Sequence, residues 1–307
     1  MRTMKLGSSN LEVPVIAVGC MRINSIDKTE AERFVRTSLE EGANFFDHAD
    51  IYGKGACEEI FADAIGMNPS IRESMILQSK CGIRPEAGTF DFSKKHILAS
   101  VDGILKRLKT DYLDILLLHR PDALVEPEEV AEAFDRLEAS GKVRHFGVSN
   151  LNPMQIQLLK KSVKQPIVAN QLQLSITNAT MISQGINVNM ENDSAVNRDG
   201  SVLDFCRLND ITIQPWSPFQ YGFFQGVFLD NPEFPELNKK IDEIAEKYGV
   251  SNTTIAIAWL LRHPAKMQPV TGTMNVQRLK DCCKASDVHL TREEWYEIYR
   301  AAGNKLP

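Results

Sequence analysis

The sequence lacks several features that mark specialised classes of protein. No apolar run approaches the ~18 residues of a membrane-spanning helix, and residues 1–9 lack the apolar core of a secretory signal peptide. The six cysteines are scattered and form no C-x-x-C pair, which excludes a disulfide framework and gives no sign of a zinc site. We therefore expect a cytoplasmic protein with reduced thiols and no membrane partner.

The sequence also has no excess of basic residues. Lys and Arg number 35 against 40 Asp and Glu, which gives a formal net charge of −5 over 307 residues. Proteins that bind nucleic acid usually carry a basic surface that displaces counterions from phosphates, so we expect no nucleic-acid partner. Hydrophobic residues make up 43% and charged residues 24%. These proportions are typical of a globular protein and exclude a disordered or collagen-like chain.

Short apolar runs alternate along the chain with longer amphipathic segments. Continuous apolar runs are typical of parallel strands that are covered on both faces. We predict eight strands, at residues 13–19, 44–49, 75–81, 112–119, 143–149, 167–171, 211–216 and 268–272. Helical patterns lie between them, at residues 28–41, 58–66, 93–109, 127–140, 153–161, 201–208 and 236–248.

This order of elements predicts an α/β protein of the (β/α)8 TIM barrel type, with a doubly wound open sheet as the alternative. No linker divides the chain, so we expect one domain over residues 1–307. Long loops are predicted after the sixth and seventh strands: an Asn-rich segment, residues 176–200, and an aromatic segment, residues 219–235. Residues 291–303 indicate an extra C-terminal helix. We expect the two segments and the C-terminal tail to line a substrate pocket.

Catalytic side chains of a barrel enzyme lie where its strands end. Asp47 lies at the end of the second predicted strand and Tyr52 follows that strand, Lys80 lies at the end of the third, and His119 ends the fourth. The pKa of a tyrosine is ordinarily near ~10, and a lysine ammonium beside it would lower that value. Asp47 would keep the lysine charged, and His119 could polarise a substrate carbonyl through a hydrogen bond. The four residues together predict a proton-transfer site.

A metal hydrolase is a second interpretation of residues in this region. Asp47 with His48, His119 and His145 contains the side-chain types that bind metals. His48 directly follows Asp47 on a strand, however, so the two side chains point to opposite faces. We expect no bound metal and a structural role for His48 and His145.

At the strand ends the sequence resembles the aldo-keto reductase family, of the bacterial NADP-dependent type. The resemblance is carried by D-H-A-D-I-Y-G at residues 47–53, by Lys80 and His119, by G-V-S-N at residues 147–150, by Gln171, by W-S-P at residues 216–218 and by G-T-M-N at residues 272–275. The motifs follow in order at seven strands and extend from about residue 3 to about residue 286.

The resemblance implies an oxidoreductase that transfers hydride between NADPH and an aldehyde or ketone. Tyr52 matches the general acid, Lys80 and Asp47 match the pair that tunes it, and His119 matches the residue that orients the carbonyl. The implied cofactor contacts are Ser149, Asn150 and Gln171 on the nicotinamide amide, Trp216 on its ring, Ser217 near the pyrophosphate, and Thr273, Asn275 and Arg278 around the 2′-phosphate.

Several properties stay open at this point. Some family members carry a lysine after the last strand that is absent here, so NADH is a possible cofactor beside NADPH. The partner is expected to be a small carbonyl substrate. Monomer and homodimer are both compatible with aromatic residues expected to be exposed around residues 295–299. The alternative function is a non-catalytic nucleotide-sensing or regulatory subunit on the same barrel.

Overall fold

The computed structural model describes residues 1–304, so the last three residues of the predicted domain range lie outside it. Its strands are β1 (Thr3–Lys5), β2 (Glu12–Pro14), β3 (Ala17–Gly19), β4 (Phe45–Asp47), β5 (Ile76–Cys81), β6 (Ile83–Arg84), β7 (Thr89–Phe90), β8 (Leu113–Leu118), β9 (Val143–Ser149), β10 (Ile167–Gln173), β11 (Thr212–Trp216) and β12 (Val270–Thr271). No helix in the described part of the chain is both long and apolar enough to cross a membrane.

The α-helices alternate with the longer strands. They are α1 (Lys28–Glu40), α2 (Ala56–Ile65), α3 (Pro69–Glu73), α4 (Lys94–Leu108), α5 (Pro127–Ala139), α6 (Pro153–Leu159), α7 (Thr180–Ile186), α8 (Val202–Leu208), α9 (Pro235–Tyr248), α10 (Asn252–Arg262), α11 (Val276–Lys284) and α12 (Arg292–Ala301). Most begin at a side-chain cap, as at Asp27 before α1 and Ser93 before α4, where the side chain accepts a hydrogen bond from a backbone amide of the first turn.

Eight of the strands pair in parallel and close into a barrel in the chain order β3, β4, β5, β8, β9, β10, β11, β12. The predicted TIM barrel is therefore confirmed, and the open-sheet alternative is wrong. The C-terminal helix α12 and the long connections after the sixth and seventh barrel strands are also present. Because all eight strands run the same way, their carboxyl ends meet at one mouth of the barrel.

The first predicted strand, residues 13–19, is in fact two separate elements. β2 pairs antiparallel with β1, and only β3 enters the barrel, beside β12. Pro14 ends β2, since proline has no N–H with which to continue a ladder. Leu6 and Val13 of this hairpin are fully buried against Phe45 and Leu117 inside the barrel, so the hairpin closes the end opposite the mouth.

The Asn-rich segment after the sixth barrel strand is more structured than its sequence predicts. It contains α7, whose Met181 and Ile182 are buried, and the Ser183 hydroxyl lies 2.8 Å from the Tyr299 hydroxyl of α12. The sequence pattern did not indicate α10 either, in which every residue from Thr253 to Leu260 is buried. A helix that is buried on nearly all sides has no polar face, so its sequence does not show the alternation of polar and apolar residues by which a helix is recognised.

Trp295 and Tyr299 of α12 are buried and Tyr296 is half-buried, so the prediction that these aromatic residues are exposed is wrong. The Trp259 and Trp295 rings stack with their centroids 4.8 Å apart and their planes within 6°. Each indole Nε1 donates a hydrogen bond to the other residue's carbonyl oxygen, at 3.1 and 3.0 Å. This reciprocal contact attaches α12 to α10, and Tyr299 beside it has no exposed surface.

Gly147 of β9 provides a test of how closely the barrel is packed. A Cβ at this position would lie 2.8 Å from the Ala169 carbonyl oxygen of β10 and 2.6 Å from a Leu117 methyl of β8. Because the Ala169 oxygen belongs to the neighbouring backbone, we expect Gly147→Ala to lower the free energy of unfolding by about 1–3 kcal/mol in urea denaturation.

Gly185 of α7 gives the matched control for this substitution. A Cβ added there would meet its nearest atom, an Asp204 carboxylate oxygen, at an ordinary 3.9 Å. Gly185→Ala is therefore expected to leave stability unchanged or slightly raised, because alanine restricts the unfolded chain and favours a helix. Equal effects of the two substitutions would contradict close packing at Gly147.

Candidate active site

A cavity of about 630 Å³ opens at the barrel mouth. Asp47 ends β4, His119 directly follows β8, and Tyr52 begins a 3-10 helix, Tyr52–Gly55, that follows β4. All three line the cavity, whereas Lys80 of β5 lies behind them with no exposed surface. The structure therefore brings the four predicted catalytic residues together at one place.

The Lys80 ammonium is the centre of this group. Its Nζ donates hydrogen bonds to Asp47 Oδ2 at 2.8 Å, to the His48 carbonyl oxygen at 2.7 Å and to the Tyr52 hydroxyl at 3.2 Å. Burial disfavours the charged amine, but the negative charges of Asp47 and of an ionised Tyr52 outweigh it and raise the pKa of Lys80 above its ordinary value. Lys80 is therefore charged at neutral pH.

Tyr52 keeps its proton at neutral pH. Burial raises the pKa of its phenol, and the opposing charge of Lys80 reduces this effect without reversing it. The predicted effect of Lys80, which is to lower the pKa of Tyr52, is thus present, but burial outweighs it. What Lys80 supplies is a hydrogen bond and a positive charge that favour the phenolate at the moment a proton leaves.

His119 faces Tyr52 as a neutral imidazole. The two rings lie 6.0 Å apart between centroids and are nearly perpendicular, at 83°. Burial lowers the pKa of His119 well below its ordinary value, and the positive charges of Lys80 and Arg120 lower it further. A neutral imidazole carries one N–H, so His119 can donate a single hydrogen bond to an oxygen placed in the cavity.

Four buried glutamines fill the barrel below the site, and three of them were missed from the sequence. Gln78 and Gln171 both donate to Asp47 Oδ1, at 2.7 and 3.1 Å. Gln214 bonds to Gln78, Gln171 and Gln268, and Gln268 donates to the Pro14 carbonyl oxygen. Gln78 could have been found, because it lies two residues before Lys80 and so on the same strand face.

The predicted nicotinamide contacts lie beside this network. The Ser149 hydroxyl donates to the Gln171 carbonyl oxygen at 2.9 Å, and the Asn150 amide donates to the Ser149 hydroxyl at 2.8 Å. Trp216 Nε1 in turn lies 3.3 Å from Asn150 Oδ1. Gln171 has already given its amide N–H groups to Asp47 and Gln214, so its Oε1 is the atom left to accept from a ligand.

The residues predicted near the phosphates fall into two groups. Ser217, Thr273 and Arg278 line the cavity, and the Arg278 side chain is exposed. Asn275 does not line it: its Oδ1 accepts a hydrogen bond at 2.9 Å from the Arg278 backbone amide and so caps α11. Asn275 therefore acts as the N-cap of α11, the helix that carries Arg278.

The walls of the cavity come from fewer loops than the sequence predicts. The aromatic segment lines it through Phe219, Phe223, Phe224, Val227 and Leu229, but the Asn-rich segment contributes no residue. Met21, Ile51, Ile83, Arg22 and Arg120 line it as well, and the sequence did not single them out. Among residues 1–304, no group of three or more His, Cys, Asp or Glu side chains could hold a metal ion.

A second buried polar cluster lies behind β4 and β5, on the side of the helices. Glu58 of α2 accepts hydrogen bonds from the Ser79 hydroxyl and from Arg107 Nε, each at 2.7 Å. Asp50 lies beside this pair, and its Oδ1 is buried without a hydrogen-bond partner among the described residues. Burial, and next the Glu58 charge, raise the pKa of Asp50 to about 7, although Arg107 opposes the shift.

Comparison with known proteins gives matches over nearly the whole chain. A model of the Aldo/keto reductase family matches residues 15–302. The uncharacterized oxidoreductase YcsN of Bacillus subtilis (strain 168) is 34% identical, with 98% of each chain covered. A 6-dehydroglucose reductase of Agrobacterium fabrum is 33% identical, with 97% of each chain covered.

Solved structures give the same result for the fold. A thermostable aldo-keto reductase in complex with the inhibitor epalrestat matches with a TM-score of 0.77 and 26% identity, covering 98% of this chain and 100% of that chain. A Bombyx mori aldo-keto reductase in complex with NADP shares the fold, with a TM-score of 0.74, 20% identity and coverage of 98% of this chain and 92% of that one.

Asp50 makes the stability of the protein depend on pH in a predictable direction. Its carboxyl group has an ordinary pKa of 3.8 and a pKa of about 7 in the folded protein. Between these values the folded state holds a proton that the unfolded state has lost, so stability falls as the pH rises through this range. We expect Asp50→Asn to gain stability over the original protein progressively from pH 5 to pH 8.

The measurement is urea denaturation of both proteins at several pH values in this range. Their difference reports Asp50 together with its coupling to Glu58, because the other titrating groups are common to both proteins. Asp111→Asn removes a carboxylate from an exposed position and serves as the control. A difference between Asp50→Asn and the original protein that stays constant from pH 5 to pH 8 would rule out an elevated pKa for Asp50.

Proposed function

Because this chain belongs to the aldo/keto reductase family, we propose that it is an NAD(P)H-dependent reductase that converts an aldehyde or ketone to an alcohol. The observation that carries the proposal is the Tyr52 phenol at the cavity wall, which accepts a hydrogen bond from the ammonium of the buried Lys80. A binding module needs no such proton donor. The 6-dehydroglucose reductase among its relatives is consistent with an aldehyde substrate.

The cavity has the size and the donor set for a nicotinamide dinucleotide. At about 630 Å³ it is within the usual range for small-molecule sites. Ser149, Asn150 and Gln171 offer the hydroxyl and amide groups that would hold a carboxamide, and the Trp216 ring lines the cavity beside them. When bound, the cofactor supplies the hydride that reduces the carbonyl carbon.

The residues of the chain itself supply the proton and its placement. The Tyr52 hydroxyl donates its proton to the carbonyl oxygen as that oxygen gains negative charge, and the phenolate left behind is stabilised by the Lys80 ammonium. Asp47 holds Lys80 in place and charged, while the His119 N–H orients the carbonyl oxygen toward Tyr52. One hydride and one proton are thereby added across the C=O bond, which gives the alcohol.

NADPH is the cofactor that we propose over NADH. Arg278 lies in the first turn of α11, where free backbone amides also attract anions, and its side chain is exposed at the cavity. A guanidinium in this position can pair with a 2′-phosphate, which NADH does not have.

Replacing the Tyr52 hydroxyl tests the catalytic assignment. We expect Tyr52→Phe to reduce kcat/KM for any aldehyde substrate by about 10²–10⁴, the usual contribution of a general acid, and to leave NADPH binding unchanged. Steady-state kinetics and a binding titration measure the two effects. Tyr248→Phe is the control, since the Tyr248 hydroxyl bonds to Glu294 and does not line the cavity. Retained turnover in Tyr52→Phe would favour the alternative of a nucleotide-sensing subunit.

Replacing Arg278 tests the choice of cofactor. We expect Arg278→Met to weaken NADPH binding about tenfold, as for the loss of one charge-assisted hydrogen bond, and to change NADH binding little. Trp216 fluorescence can follow both titrations, because Trp259 and Trp295 are buried against each other away from the cavity. Arg292→Met on α12 is the control. If both cofactors bind equally well to the unaltered protein, the preference for NADPH is wrong.

A further inference from the structure

Arg120 lies in the cavity without a partner for its charge. It directly follows His119 and is half-buried, yet its guanidinium makes no hydrogen bond or ion pair with any described residue. Burial lowers the pKa of Arg120, which means that the surroundings disfavour its charge. A half-buried guanidinium that faces a cavity without a counterion is available to a ligand that supplies the negative charge.

Among the described residues no carboxylate forms an ion pair with Arg120, and those in this region have other partners. Asp122, two residues along the chain, accepts hydrogen bonds from the Phe92 and Leu124 backbone amides, both at 2.8 Å. Asp47 is paired with Lys80, and Asp230 accepts from the Asn252 amide at 2.9 Å. Asp47 and Asp230 are the acidic side chains among the described residues that line the cavity.

Two aromatic rings hold the Arg120 guanidinium in position. Its Cζ lies 5.8 Å from the centre of the Trp216 ring and 5.9 Å from the centre of the Phe223 ring. Contacts with ring faces stabilise a cation without using its N–H groups. The edge of the guanidinium is therefore free to form two parallel hydrogen bonds with a planar anion.

We propose that Arg120 binds a carboxylate carried by the substrate, so that the natural substrates are aldehydes or ketones that bear a carboxylate. This inference rests on the proposed function and specifies its substrate class. The carbonyl group would lie against Tyr52 and His119, while the carboxylate of the same molecule would pair with Arg120, the residue next to His119. The carbonyl gains a hydride and a proton, the carboxylate is unchanged, and the product is a hydroxy acid.

The position of Arg120 in the barrel separates it from the proposed phosphate contacts. Arg120 follows β8 and Arg278 follows β12, and in the closed barrel these two strands are four places apart among eight. They therefore stand on opposite sides of the mouth. A planar guanidinium pairs bidentately with carboxylates and phosphates alike, so the position of Arg120, beside His119 and across the mouth from Arg278, is what favours a group on the substrate over a cofactor phosphate.

Matched pairs of acids and methyl esters test the proposal directly. The probes are 4-oxobutanoate with its methyl ester and 4-formylbenzoate with its methyl ester, because each pair differs in charge and little in shape. We expect the ratio of kcat/KM for acid over ester to fall at least tenfold in Arg120→Met, through a rise in KM for the acid. The ester is expected to change less than threefold, and Arg120→Lys to retain part of the preference.

Arg84→Met is the control variant, because Arg84 is paired with Asp91 and does not line the cavity. It should leave the acid-to-ester ratio unchanged. An unchanged ratio in Arg120→Met would overturn the proposal, and so would an equal loss for acid and ester, which would mean that Arg120 only supports the aromatic wall. Weaker NADPH binding with an unchanged ratio would assign Arg120 to the cofactor instead, and the proposal would again fail.

Binding of an unreactive carboxylate separates this inference from the proposed function. With NADP⁺ present, we expect 4-methylbenzoate to bind the unaltered protein at least tenfold more tightly than Arg120→Met, by calorimetry. If it does so while no aldehyde is reduced with either cofactor, the reductase function fails and the carboxylate site stands. If aldehydes are reduced but neither the acid probes nor 4-methylbenzoate depend on Arg120, the carboxylate site alone is overturned.

Discussion

The ion pair between Lys80 and Asp47 lies below the barrel mouth, with both side chains almost fully buried. Removing two charges from water costs more than their attraction returns unless hydrogen bonds satisfy the remaining atoms. Here the His48 carbonyl oxygen, the Tyr52 hydroxyl and the amides of Gln78 and Gln171 do so. The position of Tyr52, and with it the proton that the site can donate, depends on this pair.

The barrel distributes charge unevenly around its mouth. Lys80 and Asp47 neutralise each other at the centre, whereas Arg120 beyond β8 and Arg278 beyond β12 are left without ion pairs among the described residues. Both guanidinium groups face the same cavity from opposite sides. A negatively charged cofactor phosphate on one side and a negatively charged substrate on the other would therefore both be attracted to the cavity. The aromatic segment, residues 219–235, would cover the two ligands.

The sequence by itself predicted the barrel and the residues that meet at its mouth. Apolar runs alternating with amphipathic segments require parallel strands, and parallel strands bring their carboxyl ends to one edge. That is why Asp47, Lys80 and His119, which lie on three strands and are far apart in the chain, could be assigned to one site from the sequence alone. Because successive side chains of a strand point to opposite faces, the sequence also predicted that His48 points away from Asp47. In the structure the His48 ring packs against Phe61.

Only the tertiary structure decided the features that depend on contacts between distant segments. The helical period could not indicate α10, because burial on all sides removes its polar stripe. Nor could any local pattern show that Gln78 contacts Asp47, that burial outweighs Lys80 in setting the pKa of Tyr52, or that Arg120 has no counterion. A sequence pattern predicts which face of a strand or helix a side chain lies on. The desolvation of that side chain and its hydrogen-bond or ion-pair partners depend instead on all the residues packed around it, and those residues come from many parts of the barrel.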